Sequence, residues 1–217
     1  MNGKEVVTGI ALGDNINMLL FFKQKLVLFS VPKTGTTALE AAALPYASAA
    51  ILDPPGMKHV SVSRYQAQLA PFFEARGKQP HETMAIMREP IDWLGSWYRY
   101  RRRDQIKGKP NSTADVSFAE FVEAWLLDTP PAFAQIGAQA RFLGTDTAQI
   151  GVDHLFRYDQ MDQAVAFLEQ RLGGALQLER RNVSPSLPLE LPKGLEARLR
   201  AERPEEFALW EALCARL

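Results

Sequence analysis

The chain has one cysteine, three histidines and no excess of either charge. Cys214, being alone, can build neither an internal disulfide nor a cysteine-based zinc cluster. Three histidines, His59, His81 and His154, argue against a histidine-rich metal site. Twenty-five Lys and Arg balance twenty-five Asp and Glu. That balance excludes a global field for nucleic acid, and leaves room for a local basic site. Long apolar runs are also missing. A bilayer span needs about 20 apolar residues, and the best candidate, 18–31, is interrupted by Lys23, Gln24 and Lys25. Residues 1–17 lack a basic segment followed by an apolar one, so no signal peptide is expected. The expectation is a soluble, cytoplasmic protein in a reducing compartment, without a membrane span.

What is present is ordinary globular composition: 217 residues, 47% apolar and 23% charged. This excludes wholesale disorder. Length predicts one domain over 18–217, with 1–17 an extension that the fold does not need. Residues 25–31 (KLVLFSV) form a continuous apolar run, as expected of a strand buried on both faces. A polar turn (PKTGTT) and a run of helix formers (ALEAAAL) follow, closed by Pro45. A loop at 53–56 (DPPG) leads to a predicted helix over 62–75. A second strand is predicted over 82–87 (ETMAIM), followed by Arg88, Glu89 and Pro90, with Pro90 opening a helix to about Arg103. Ser117 and Glu120 make a capping box for a helix to about Leu127. Further helices are predicted over 134–143, 159–172 and 189–217, the last interrupted at Pro204, with a third strand over 152–156. Strands alternating with helices predict an α/β fold on a mostly parallel sheet. In such folds ligands bind beyond the carboxyl ends of the strands.

The first such end is an anion cradle. Gly35 permits close backbone approach, the first-turn N–H groups of the following helix are unpaired, and Lys33 adds a full charge. Thr34, Thr36 and Thr37 add hydroxyl groups. Set against the nucleotide-binding pattern GxxxxGK[ST], Gly35 takes the second glycine, Ser30 replaces the first, Thr36 stands where the lysine belongs, and Thr37 keeps the hydroxyl. The lysine has moved into the loop. Arg88, not Asp, ends the second strand, which weakens a magnesium–triphosphate reading. Arg88 suits a terminal phosphate through charge-assisted hydrogen bonds, and Ser96 lies eight residues on in the next helix.

These segments resemble a known family. Residues 25–37 (KLVLFSVPKTGTT) resemble the 5′-phosphosulfate loop of sulfotransferases that use 3′-phosphoadenosine 5′-phosphosulfate (PAPS). Residues 88–96 (REPIDWLGS) resemble their 3′-phosphate element, with the Arg-to-Ser spacing intact. Residues 154–158 (HLFRY) and 181–185 (RNVSP) resemble later segments, the second contributing Arg181 on the cofactor side. The likeness covers about 18–188 and is nearest to the Golgi-type carbohydrate branch and its bacterial relatives. It implies a three-layer fold like that of P-loop NTPases, and transfer of a sulfuryl group from PAPS to an acceptor hydroxyl or amine, releasing PAP, with no metal. It implies that Lys33 meets charge on the bridging oxygen, that the 35–37 amides hold the 5′-phosphate, and that Arg88 and Ser96 hold the 3′-phosphate. His59, between the first helix and the second strand, is the expected base, with Glu40 second to it.

The acceptor is not legible; a carbohydrate, a lipid or another small molecule would serve. Arg99, Arg101, Arg102 and Arg103, interleaved with Tyr98 and Tyr100, either dock an anionic acceptor or form a solvated helix face. Trp93, Trp97 and Trp125 either stack on a sugar or fill the core. Two alternatives stand beside the transferase: a P-loop kinase using ATP and magnesium, and a nucleotide-binding protein without catalysis.

Overall fold

The computed structural model of the protein describes residues 18–51, 59–77, 79–144, 151–178 and 189–215. It opens on two short strands, β1 (Met18–Phe21) and β2 (Leu26–Phe29). The four residues between them, 22–25, turn with Lys25 at φ 53°, its N–H donating to the Phe22 carbonyl at 3.4 Å. A link this short can only return the chain antiparallel; a parallel partner needs a crossover of about a dozen residues. Met18 accordingly faces Phe29, and Phe21 faces Leu26.

After β2 come α1 (Thr36–Ala43) and β3 (Ala49–Ile51). Helix α2 starts at Val62–Arg64, passes through a π-helical turn at Tyr65–Leu69 and continues over Ala70–Gly77. Then follow β4 (Glu82–Met87), α3 (Pro90–Arg101), α4 (Phe118–Leu126), the short α5 (Gln139–Phe142), β5 (His154–Arg157), α6 (Met161–Leu172), α7 (Lys193–Glu202) and α8 (Pro204–Cys214). The local signals behave as their chemistry dictates. Pro90 opens α3, and the Glu89 side chain accepts the Asp92 N–H at 2.7 Å. Ser117 and Glu120 cap each other at α4, and Gly173 ends α6 at φ 73°.

The five strands form one sheet in the order β3-β1-β2-β4-β5. Strands β2, β4 and β5 run parallel, whereas β1 is antiparallel to both β2 and β3. The sheet is therefore mixed, not mostly parallel. The three predicted strands do run parallel; the expectation failed because β1 and β3, which it did not include, join the sheet through antiparallel pairs. β1 is as fully buried as β2.

Side chains alternate across the sheet. Leu20, Val27, Phe29, Ala85 and Met87 pack with Tyr65 of α2 and Leu209 of α8. Leu19, Leu28, Met84 and Ile86 pack with Leu39 of α1 and Leu168 of α6. A third cluster joins α3, α4, α7 and α8 around Trp93 and Trp125, whose rings lie 6.3 Å apart. Trp93 is 2% exposed and Trp125 is 6% exposed, so both serve the core. Burying a side chain of Trp93's size contributes about 3 kcal/mol.

The helix predicted over 134–143 is reduced to a 3₁₀ turn at Ala132–Ala134 and to α5. Gly137 sits at φ 74°, and its carbonyl accepts the Trp125 indole N–H at 2.8 Å. The segment between is drawn out to meet α4 instead of coiling.

Candidate functional site

Because β2, β4 and β5 are parallel, their carboxyl ends lie along one edge of the sheet. That edge brings together the 30–37 turn, Arg88 and Tyr158. Two residues in the turn hold left-handed backbone, Lys33 at φ 69° and Gly35 at φ 71°. For a lysine this costs about 1 kcal/mol, strain of a kind found where function over-determines the backbone. Thr34 is fully buried, and its hydroxyl donates to the Val31 carbonyl at 2.7 Å, closing the turn from inside. Thr36 and Thr37 begin α1. Among the described residues no side chain caps that helix, and no acidic residue stands in its first turn, so its amino end is electropositive.

The sequence suggests that Gly35 makes room for a ligand. The structure places Tyr158 there: a Cβ at Gly35 would lie 2.6 Å from the Tyr158 ring.

Glu40, second to His59 as the expected base, is 2% exposed and accepts a hydrogen bond from the Ser30 hydroxyl. It belongs to the inner wall of the turn.

Lys33 is the centre of a cationic group. Its Nζ lies 4.1 Å from the Tyr100 ring centroid and 6.0 Å from that of Trp97. Burial, and then the charges of Arg103, Arg88 and Arg99, lower its pKa to about 8. Arg88 is held on several sides. Its Nε donates to Asp92, its Nη1 donates to the Lys33 carbonyl at 3.4 Å, and its guanidinium lies 4.2 Å over the Tyr158 ring. Asp92 also reaches Arg99, at 3.5 Å. Trp93 ties α3 to the turn through an indole N–H donated to the Pro32 carbonyl at 2.8 Å. Lys33 and Arg88 thus lie side by side at the strand ends. Ser96 is buried on α3.

The four arginines at the end of α3 divide. Arg99 and Arg103 belong to the Lys33 group. Arg101 is buried and donates to the carbonyls of Ala132 and Gln135 at 2.6 and 2.7 Å. Arg102 donates to the Tyr98 hydroxyl and the Thr113 carbonyl, both at 3.0 Å. These two hold loops together.

His59 occupies an exposed turn before α2. His154 contacts Glu82 at 2.7 Å at the opposite end of the parallel strands, where Arg171 also reaches Glu82 at 2.8 Å. Hydrogen bonding from His154 first, and then the charge and hydrogen bond of Arg171, holds the Glu82 carboxyl below its usual range. His81 is buried at the start of β4, and burial lowers its pKa. Arg181 lies outside the described residues. Among the described residues, no group of three or more His, Cys, Asp and Glu is placed to hold a metal ion, and no helix is long and apolar enough to cross a membrane.

Sequence reasoning missed Tyr158, Asp92, Gln139 and Glu206. Asp92 carried a signal, as the acidic residue four positions beyond Arg88 in the first turn of the helix that follows. Tyr158 carried one as well, as the first residue beyond β5 on the edge shared with Lys33 and Arg88. Gln139 and Glu206 carried none, because only packing brings Gln139 to Arg88 and Glu206 to the start of α5. No family model, characterised protein or solved structure matches the chain.

Proposed function

We propose that the protein is a sulfotransferase on a P-loop-like α/β fold, moving a sulfuryl group from PAPS to a hydroxyl or amine of an acceptor such as a carbohydrate or a small molecule. One observation carries this reading. Lys33, Arg88, Arg99 and Arg103 crowd together at an uncapped helix amino end, so that the guanidiniums oppose the charge on Lys33. Such a group is relieved by a polyanion, and a donor with phosphates at both ends of its ribose supplies one.

In this reading the acceptor oxygen or nitrogen bonds to sulfur as the bond from sulfur to the 5′-phosphate oxygen breaks. The electron pair leaves with that oxygen, where the Lys33 ammonium meets the developing charge. The α1 amides at Gly35, Thr36 and Thr37 hold the 5′-phosphate. Arg88 and Ser96, with Arg181, hold the 3′ side. The acceptor proton passes to His59, the proposed base.

A thermal-shift comparison of PAP, ATP with magnesium and GTP with magnesium tests the donor. Ligand at 100 times its Kd adds about 2.7 kcal/mol to apparent stability, so PAP should raise the Tm most. A larger shift with ATP and magnesium would replace this reading with a phosphotransferase. If PAP binds, His59→Ala should abolish turnover while leaving the PAP shift intact. PAP binding with no turnover against any acceptor would leave a binding protein.

A further inference from the structure

Arg88 is gripped by its main chain as well as its side chain. Gln139, fully buried, accepts the Arg88 N–H on Oε1 at 3.0 Å and donates from Nε2 to the Arg88 carbonyl at 2.9 Å. Strand pairing has already ended here: the last register positions of β4 are Met84 opposite Leu28 of β2 and Met87 opposite Arg157 of β5. One side-chain amide does for Arg88 what a neighbouring strand would do. It satisfies both main-chain groups and fixes the direction in which the side chain leaves.

Gln139 is itself held from behind. It is the first residue of α5, and the N–H of the next residue, Ala140, donates to Glu206 Oε1 at 2.8 Å. Glu206 reaches in from α8 and is 1% exposed; its second oxygen is buried with no hydrogen-bond partner among the described residues. An incompletely satisfied carboxyl group in a core is costly. Packing alone does not call for it, since an apolar side chain of similar length would fill the space. What an apolar side chain could not do is anchor the amino end of α5, and through it Gln139.

We propose that Glu206 and Gln139 are positioning residues for Arg88, Glu206 by anchoring α5 and Gln139 by clamping the Arg88 main chain. The role rests on the reading of Arg88 as a ligand for the donor's 3′-phosphate. It places a determinant of nucleotide selection in the C-terminal helix.

Calorimetric titration with PAP and with adenosine 5′-phosphate, which lacks the 3′-phosphate, tests it. Gln139→Leu and Glu206→Met should each weaken PAP binding about 10-fold, the worth of roughly one misplaced charge-assisted hydrogen bond. Both should leave adenosine 5′-phosphate binding unchanged. Glu206→Gln keeps an acceptor for the Ala140 N–H and should stay close to wild type. Equal losses for both nucleotides, or no loss in either variant, would overturn the proposal. Should Glu206→Met not fold, Glu206→Ala makes the same comparison.

If the wild-type protein does not distinguish the two nucleotides, the donor reading itself has failed. The clamp is then decided without ligand, by hydrogen exchange at the Arg88 amide. Glu206→Met should speed that exchange about 10-fold, and Glu206→Gln should not. The same rate in all three proteins would sink the relay.

Discussion

The Arg88 guanidinium lies 4.2 Å over the Tyr158 ring, and that ring also fills the space a Cβ at Gly35 would need. Tyr158 therefore couples two strand ends. It backs the turn after β2 and supports the arginine after β4, from its own place after β5.

Gly35→Ala should be costly for two separable reasons. The left-handed backbone at φ 71° penalises any side chain by about 1 kcal/mol, and the methyl group would meet the Tyr158 ring at 2.6 Å. Denaturant unfolding should show a loss of about 1–3 kcal/mol. In a double-mutant cycle with Tyr158→Ala the steric part should vanish and the backbone part persist. Full additivity of the two changes would disprove the contact.

Anion binding should take up protons at mildly alkaline pH. Burial and the neighbouring arginines lower the Lys33 pKa to about 8. Above that pH the free site sheds its lysine charge, and a bound polyanion draws the proton back. Affinity for PAP should be full below pH 8 and fall as pH rises through the pKa of the bound form. Titrations at pH 8.5 in two buffers of different ionisation enthalpy should reveal proton uptake. Lys33→Met should abolish that uptake, and uptake unchanged in the variant would assign the proton elsewhere.

Stability should carry the signature of Glu206. Burial raises its pKa to about 7, against the hydrogen bond from the Ala140 N–H that favours the carboxylate. The folded state thus holds a proton that the unfolded chain releases near the ordinary value of 4.5. Its contribution is fully present below that ordinary value and is lost as pH rises through about 7, by up to about 3 kcal/mol. Glu206→Gln should remove this slope and be the more stable protein at pH 8. Equal pH dependence of urea midpoints in the two proteins would contradict it.

Arg101 should matter to folding and not to the ligand. It is buried and satisfies two loop carbonyls. Arg101→Ala should destabilise by about 3 kcal/mol and leave PAP affinity unchanged in whatever fraction folds. A selective loss of binding would return Arg101 to the site.

Much of this organisation is written locally. Pro90, the Ser117–Glu120 box and Gly173 set their helix ends through contacts a few residues long. The turn at 32–37 also declares itself, because strand, glycine, lysine and helix follow in direct succession. The β1–β2 hairpin was not legible: its polar KQK turn registers only as a break in an apolar run, and no strand is expected at 18–21. The helix over 134–143 could not be judged from propensity, since Trp125 and Arg88 compete for its backbone and side chains from distant parts of the chain.

By itself the sequence determined which short segments bury and which carry charge: the apolar strands, the capped helices, Lys33 in its turn and Arg88 at a strand end. Only tertiary structure decided the company these residues keep. Parallel alignment of β2, β4 and β5 brought Lys33, Arg88 and Tyr158 to one edge, and the packing of α5 and α8 set Gln139 and Glu206 behind Arg88. Hydrophobic patterning and capping act over a few residues and can be read in order along the chain. Charge repulsion, burial of a carboxyl group and a clamp on a distant main chain act through space, between segments far apart in the chain.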